Sequence, residues 1–288
     1  MYKLNLGLSV HCYKTEWLED GKYRIATMHD FIDEMTKGMK ENGFSSMELS
    51  AGGQWNLKEE EESFPAVKEY VEIIKKNGVK LNSVHLPFAL YFWEFASLDE
   101  EKRKLTVERA KWAISMFEKD CPKYFVIHPG KKGSADIEER KAMLEQLRKS
   151  MQELCDATDA TICIENMSTD LLLNQSSEMI WLLERVPKLM MVMDINHPFI
   201  EMPEEFIEKV GDRIKCLHVS DRDEIKERHN LPGNGILNWN KIIGALEKIG
   251  YQGEFTYEVG IHNKKFPLSE VRANYEKLFD DYNKSKQQ

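Results

Sequence analysis

Short apolar runs bounded by polar stretches recur along the chain at 4–9, 46–49, 81–84, 124–127, 161–164, 190–193, 214–217 and 254–257, each of a length that suits a β-strand. Between them the apolar positions change to helical spacing. In 64–77, Val67, Tyr70, Val71 and Ile74 fall on one face of a helix. A further helix is expected over 99–117, behind a capping-box pattern of Ser97 and Glu100. Later helices are expected to start near Ser134, Ser176, Pro203 and Asn238, and a last one to cover about 269–282.

Strands that alternate with helices throughout imply a parallel sheet with helices outside it, either open and doubly wound or closed as a barrel. Eight units favour closure. The expected fold class is therefore α/β, a (β/α)8 TIM barrel, which takes about 250 residues in one piece. No Gly/Ser-rich or Pro-rich linker interrupts the series, so 1–288 is read as a single domain. An open dinucleotide-binding sheet would carry G-x-G-x-x-G after its first strand, and Leu6, Gly7, Leu8 and Ser9 do not supply it.

Composition adds the presence of a core. With 42% hydrophobic and 31% charged residues the chain is near the globular average, and no apolar run approaches the ~20 residues of a membrane span. The first residues lack the apolar segment and cleavage site of a secretory signal. Cys12, Cys121, Cys155, Cys163 and Cys216 are odd in number, widely spaced and without a CxxC pair, which speaks against a disulfide framework and for a reducing, cytoplasmic setting. A net charge of -9 argues against a broad nucleic-acid surface, because that affinity comes mainly from basic residues. The acidic runs 59–62 and 280–281 read as solvated helix surface.

The candidate chemistry sits at the strand ends. Six of the eight expected strands are followed at once by a residue able to bind a metal: His85, His128, Glu165, Asp194, His218 and Glu258. Barrel active sites are built at that end. His197 lies three residues after Asp194, and His229 lies in the loop after the seventh strand. Each residue has a plain structural reading as well. His85 or His128 alone could be a buried histidine bonded to a backbone carbonyl. Glu165 and Glu258 could be ion-paired to Arg or Lys. Asp194 could serve only its own turn, and His218 could be held by Asp221. The joint pattern decides, since one cation offsets the burial of all four groups Glu165, Asp194, His218 and Glu258. Three carboxylates and one imidazole suit manganese or magnesium and admit zinc, cobalt or iron, so one divalent metal ion is the expected cofactor.

At these residues the chain resembles the xylose isomerase-like barrel superfamily, in its sugar phosphate isomerase/epimerase branch, with ketose 3-epimerases and apurinic endonucleases as relatives. The matching segments are SVHLP, VIHPG, CIEN, MDINH, LHVSD, RHNLPGNGILNW and YEVG. The resemblance implies that Glu165 and Glu258 are metal ligands and also the acid/base pair, that Asp194 and His218 complete the coordination, and that His197 touches a substrate oxygen. His85, His128 and His229 are then further substrate contacts around one metal, or ligands for more. The implied activity is isomerisation or epimerisation of a sugar or sugar phosphate through proton removal α to a carbonyl. A dehydratase that begins with the same step and a multi-metal apurinic endonuclease are the alternatives. Glu227 stands where those nucleases carry aspartate.

The expected partner is a small sugar, with neither nucleic acid nor membrane, and a homo-oligomer is left open. Pro232, Gly233 and Gly235 read as loop-shaping residues that could instead offer N–H groups to a phosphate. Trp55, Tyr91, Phe92 and Trp93 are helix-packing aromatics or a cover for a sugar face. Glu48, ending the second strand, is a support for the site or an ion-pair partner.

Overall fold

Eight parallel strands form the frame, each a run of residues buried on both faces, as a sheet wrapped in helices requires. They are β1 (Asn5–His11), β2 (Ser46–Ser50), β3 (Lys80–His85), β4 (Tyr124–Ile127), β5 (Thr161–Glu165), β6 (Met190–Asp194), β7 (Ile214–His218) and β8 (Glu254–Tyr257). The computed structural model describes residues 1–12, 14–17, 23–26, 28–50, 57–88, 93–117, 121–130, 133–260 and 266–287.

The sheet runs β8, β1, β2, β3, β4, β5, β6, β7. One parallel bridge closes the circle: Val219, just past β7, pairs with Tyr257 of β8, its N–H bonding to Thr256 O at 2.9 Å while Glu258 N–H reaches Val219 O at 3.1 Å. The expected TIM barrel is the observed fold.

Eight helices surround it: α1 (His29–Glu41), α2 (Leu57–Lys76), α3 (Glu100–Ser115), α4 (Ile137–Ala157), α5 (Ser176–Arg185), α6 (Pro203–Val210), α7 (Trp239–Lys248) and α8 (Leu268–Ser285). Val67, Tyr70, Val71 and Ile74 are buried on α2 as their spacing predicted. The expected capping box does not form. Asp99 caps α3 instead, its carboxylate accepting from Glu101 N and Lys102 N, while Ser97 Oγ accepts from Asp99 N one step earlier. Asp is as good an N-cap as Ser and sits closer to the first free N–H groups.

The apolar pattern named no helix between the first two strands, where α1 lies, and neither of two antiparallel hairpins. One pairs Lys14–Trp17 with Tyr23–Ala26; the other, between β7 and α7, pairs Asp221–Arg222 with Glu227–Asn230.

Alternation along each strand sorts its side chains. Leu8, Val10, Met47, Leu49, Phe125, Ile127, Ile162, Ile164, Met191 and Met193 belong to the large core shared with the helices. Tyr124, Val126, Cys163, Val192 and Cys216, of the opposite parity, form a separate apolar cluster inside the barrel. Continuing that inward parity by two residues gives His128 after Val126, Glu165 after Cys163, Asp194 after Val192 and His218 after Cys216. The lumen is thus apolar toward the strand starts and ionisable at the strand ends. Gly7 shares the lumen, where a Cβ would lie 2.9 Å from Ser46 Oγ and 3.0 Å from Thr256 Oγ1, so a side chain there would force the strands apart.

The described cysteines are free thiols. Among the described residues no helix is long and apolar enough to cross a membrane. Trp93 is buried in the core, whereas Trp55, Tyr91 and Phe92 lie outside the described residues.

Candidate metal centre and active site

Glu165, Asp194 and His218 are the last residues of β5, β6 and β7, and Glu258 follows β8 directly. His218 is the hub. Its Nδ1 lies 3.2 Å from Glu165 Oε1, 3.3 Å from Glu258 Oε2 and 3.9 Å from Asp194 Oδ2. The four groups offer ligand atoms all within 4.8 Å of one another. Asp194 does serve its own turn, Oδ1 accepting from Asn196 N at 2.6 Å, but Oδ2 is buried and makes no hydrogen bond. A buried carboxylate oxygen left in that state is costly unless a cation offsets it. The donor set, with Asp194 Oδ2 met by His197 and His218 only at 3.5 and 3.9 Å, fits a divalent metal ion.

A second group shares one member with the first. Glu165 Oε2 faces His85 Nε2 at 3.3 Å and His128 Nε2 at 3.2 Å, and the two imidazole nitrogens lie 3.1 Å apart. His85, His128 and Glu165 also satisfy the spacing of a metal site. Glu165 therefore stands between two ligand clusters, one oxygen toward each.

Four of the histidines are anchored in two ways. A carbonyl oxygen only accepts, so His85 Nδ1–H donates to Leu86 O (2.7 Å), His197 Nδ1–H to Asn166 O (2.7 Å) and His229 Nδ1–H to Glu258 O (3.1 Å). Each then turns Nε2 into the site. His85 makes the backbone bond that the sequence allowed and turns Nε2 toward Glu165. His218 is reversed, with Nδ1 inward and Nε2 2.9 Å from Glu48 Oε1.

His197 Nε2 is 3.5 Å from both Asp194 Oδ2 and Glu227 Oε2, and His229 Nε2 is 3.8 Å from Glu227 Oε2. His229 has a φ of 46°, a conformation that costs a non-glycine residue of order 1–3 kcal/mol and persists only where its surroundings impose it. All eight residues singled out from the sequence are thus within one connected network.

Among these side chains the proton affinities diverge. Burial by itself would raise the Glu165 pKa, but His218 and His128 outweigh it and hold this carboxyl well below its usual range. Burial pushes Glu258 well up, with the charges of Asp194, Glu165 and Glu48 adding to it against His218. Burial also raises Asp194, with Glu165 adding to it against His197. His218 and His197 are held well above the imidazole range despite burial, the first by Glu48, Glu165 and Glu258, the second by Asp194 and Glu227. Burial brings His128 down to about 4. Two glutamates on different walls of one site thus have opposite tendencies, Glu165 to stay ionised and Glu258 to stay protonated.

Several site residues were not assigned there from the sequence. His11 ends β1, and burial followed by His85 brings its pKa down to about 4. The apolar run stopped at Ser9, although stepping two residues on would have reached it. Glu227 comes from the hairpin, whose polar residues carry no strand pattern. Asn166 locks β5 to β6, accepting from Asp194 N at 2.8 Å and donating to Asp194 O at 3.0 Å.

Among the described residues the ion-pair partners of Glu165 and Glu258 are histidines, not Arg or Lys. Asp221 does not hold His218. It accepts from Arg222 N, Gly233 N, Leu237 N and Trp239 Nε1, which makes the 232–235 segment a braced loop with the Gly233 N–H already engaged.

Residues 37–280 match the model of the xylose isomerase-like TIM barrel. The chain belongs to that family. An uncharacterized protein of Methanocaldococcus jannaschii is 32% identical over 200 residues, 66% of this chain and 72% of that protein. A fructoselysine 3-epimerase of Shigella flexneri is 24% identical over 176 residues, 56% of this chain and 61% of its own length. Among solved structures, a D-tagatose 3-epimerase-like protein superposes with a TM-score of 0.75 at 20% identity, covering 98% of this chain and 99% of the other. An L-ribulose 3-epimerase does so with a TM-score of 0.72 at 13% identity, covering 99% and 97%.

Proposed function

We propose that this family member is a metal-dependent isomerase or epimerase of a sugar or sugar phosphate. Glu165, Asp194, His218 and Glu258 hold the cation, and Glu165 and Glu258 also move the proton. The observation that carries this reading is the convergence of three carboxylates, Glu165, Asp194 and Glu258, on His218 Nδ1, with the two glutamates on different strands. The 3-epimerases among the relatives support the substrate class.

When bound, the metal would supply positive charge where negative charge develops on the substrate's oxygens after the proton α to the carbonyl is removed. Glu165 and Glu258, on different walls of the site, are suited to accept that proton and to return one. His197 and His229, anchored to the backbone through Nδ1, would hold substrate hydroxyls with Nε2, and His85 and His128 would line the side of the site beyond Glu165.

The test is exchange of the substrate's α proton in deuterated water over a panel of ketoses and their phosphates. Deuterium uptake that depends on added divalent metal, and that is lost in Glu258→Gln, is expected. Metal-dependent turnover without any α-proton exchange would reject the mechanism. A β-hydroxyl lost after exchange would instead identify a dehydratase.

One observation favours a second reading, the sharing of Glu165 by the His85–His128 cluster. If that cluster also takes a metal, and the cluster of His197, Glu227 and His229 another, the site would suit phosphodiester hydrolysis, as in an apurinic endonuclease. Elemental analysis separates the two: one metal per chain supports the epimerase, three support the hydrolase.

A further inference from the structure

Glu48 lies in the barrel lumen on the opposite side of the His218 ring from the converging carboxylates, which face Nδ1. It comes from β2, and its partner His218 comes from β7, so the contact crosses the lumen between strands that do not pair. Glu48 is 1% exposed. Its position is imposed by the strands on either side. In the sheet register Ser9 of β1 and Ser83 of β3 lie opposite Glu48, and their hydroxyls donate to Oε1 and Oε2, each at 2.8 Å.

His218 also differs from the three site histidines that bond a backbone carbonyl. His85, His197 and His229 spend Nδ1–H on a backbone carbonyl and present Nε2, whereas His218 presents Nδ1 and gives Nε2 to a carboxylate. A neutral imidazole carries one proton, and the nitrogen that bears it cannot bind a cation. A carboxylate fixed beside Nε2 determines which nitrogen that is.

We infer that Glu48 is a positioning residue: anchored by Ser9 and Ser83, it keeps the ring proton of His218 on Nε2 and leaves Nδ1 for the cation. The inference rests on the metal reading above. It adds that the ligand set is incomplete without a residue that touches neither metal nor substrate. A ligand histidine whose outer nitrogen loses its partner typically forfeits about 10–100-fold in metal affinity.

The experiment compares zinc affinity of chelator-stripped wild type and Glu48→Gln by competition with a chromophoric chelator, together with ¹⁵N spectra of the zinc-loaded imidazoles. The expected result is a loss of about 10–100-fold in the variant, with His218 protonated on Nε2 in the wild type. A cobalt-loaded sample should show a shifted visible spectrum in the variant, a change that a merely structural role would not produce. Equal zinc affinity in the two proteins, or a wild-type His218 protonated on Nδ1, overturns the inference while leaving the metal reading standing. A wild type that takes up no metal overturns both. Should Glu48→Gln not fold, the Ser9→Ala/Ser83→Ala double variant keeps the carboxylate and removes its anchors. A several-fold loss of zinc affinity is expected there, and an unchanged affinity counts against the inference.

Discussion

Glu165 Oε1 lies 3.2 Å from His218 Nδ1, while Oε2 of the same carboxylate lies 3.2 Å from His128 Nε2. One side chain therefore serves both halves of the site, and Glu165→Gln is expected to be the most damaging single substitution in it. Metal content should fall, and turnover should drop by at least about 100-fold, the usual scale for a lost proton-transfer group. His128→Ala, which removes only the second contact, should retain the metal bound through His218. Elemental analysis and initial rates on the two purified variants check the order.

Metal removal should lower stability. A cation that binds only the folded chain adds about 2.7 kcal/mol when its free concentration is about 100 times its dissociation constant. Thermal midpoints with excess manganese, with magnesium and with a chelator give the measurement, and a midpoint indifferent to all three would argue against a cation at Glu165, Asp194, His218 and Glu258.

The stripped protein should be most stable in mild acid. Burial would raise Glu48 and Glu227, but His218 and His197 bring both from 4.5 down to about 2, so their contribution is complete above 4.5 and lost as pH falls toward 2. His218 and His197 are held above 6.5 despite burial, so theirs is complete below 6.5 and lost as pH rises through their folded values. Glu258 and Asp194, raised by burial, favour the fold below their ordinary values of 4.5 and 3.8 and lose that contribution as pH rises from there through their folded values, which sets the peak toward the acid end of the range. Urea midpoints with chelator present should peak between about pH 4.5 and 6.5, and Glu48→Gln should flatten both limbs.

Asp221 braces the loop that carries Glu227 and His229, its carboxylate accepting from three backbone N–H groups and the Trp239 indole. Asp221→Ala leaves these donors without their acceptor, each buried one at a cost of about 1–3 kcal/mol. Gly235, whose added Cβ would stand 2.3 Å from Asp221 Oδ1, has no room for a side chain either. Asp221→Ala should lower the thermal midpoint and raise KM through the displaced His229, with metal content close to wild type. A variant that keeps its KM would show that the hairpin does not shape the substrate site.

The barrel was legible because its signals are local. Each strand announces itself by an apolar run, and the two-residue alternation that buries Val126, Cys163, Val192 and Cys216 inside the barrel carries on to His128, Glu165, Asp194 and His218. A ligand placed just past an apolar run needs no knowledge of its neighbours to be noticed, so those four, with His85 and Glu258, were found from the sequence alone. α1, the hairpins, His11 and the place of Glu227 in the site were not, since their residues alternate weakly or lie beyond the apolar run.

Which nitrogen of each histidine faces the site, and what holds it there, was decided only by the tertiary structure. Glu48 and His218 are 170 residues apart and on strands that do not pair. Closing the sheet into a cylinder brings them to 2.9 Å. Local patterning records which face a side chain takes, but a contact across the lumen depends on the radius and register of the closed barrel, which all eight strands set together.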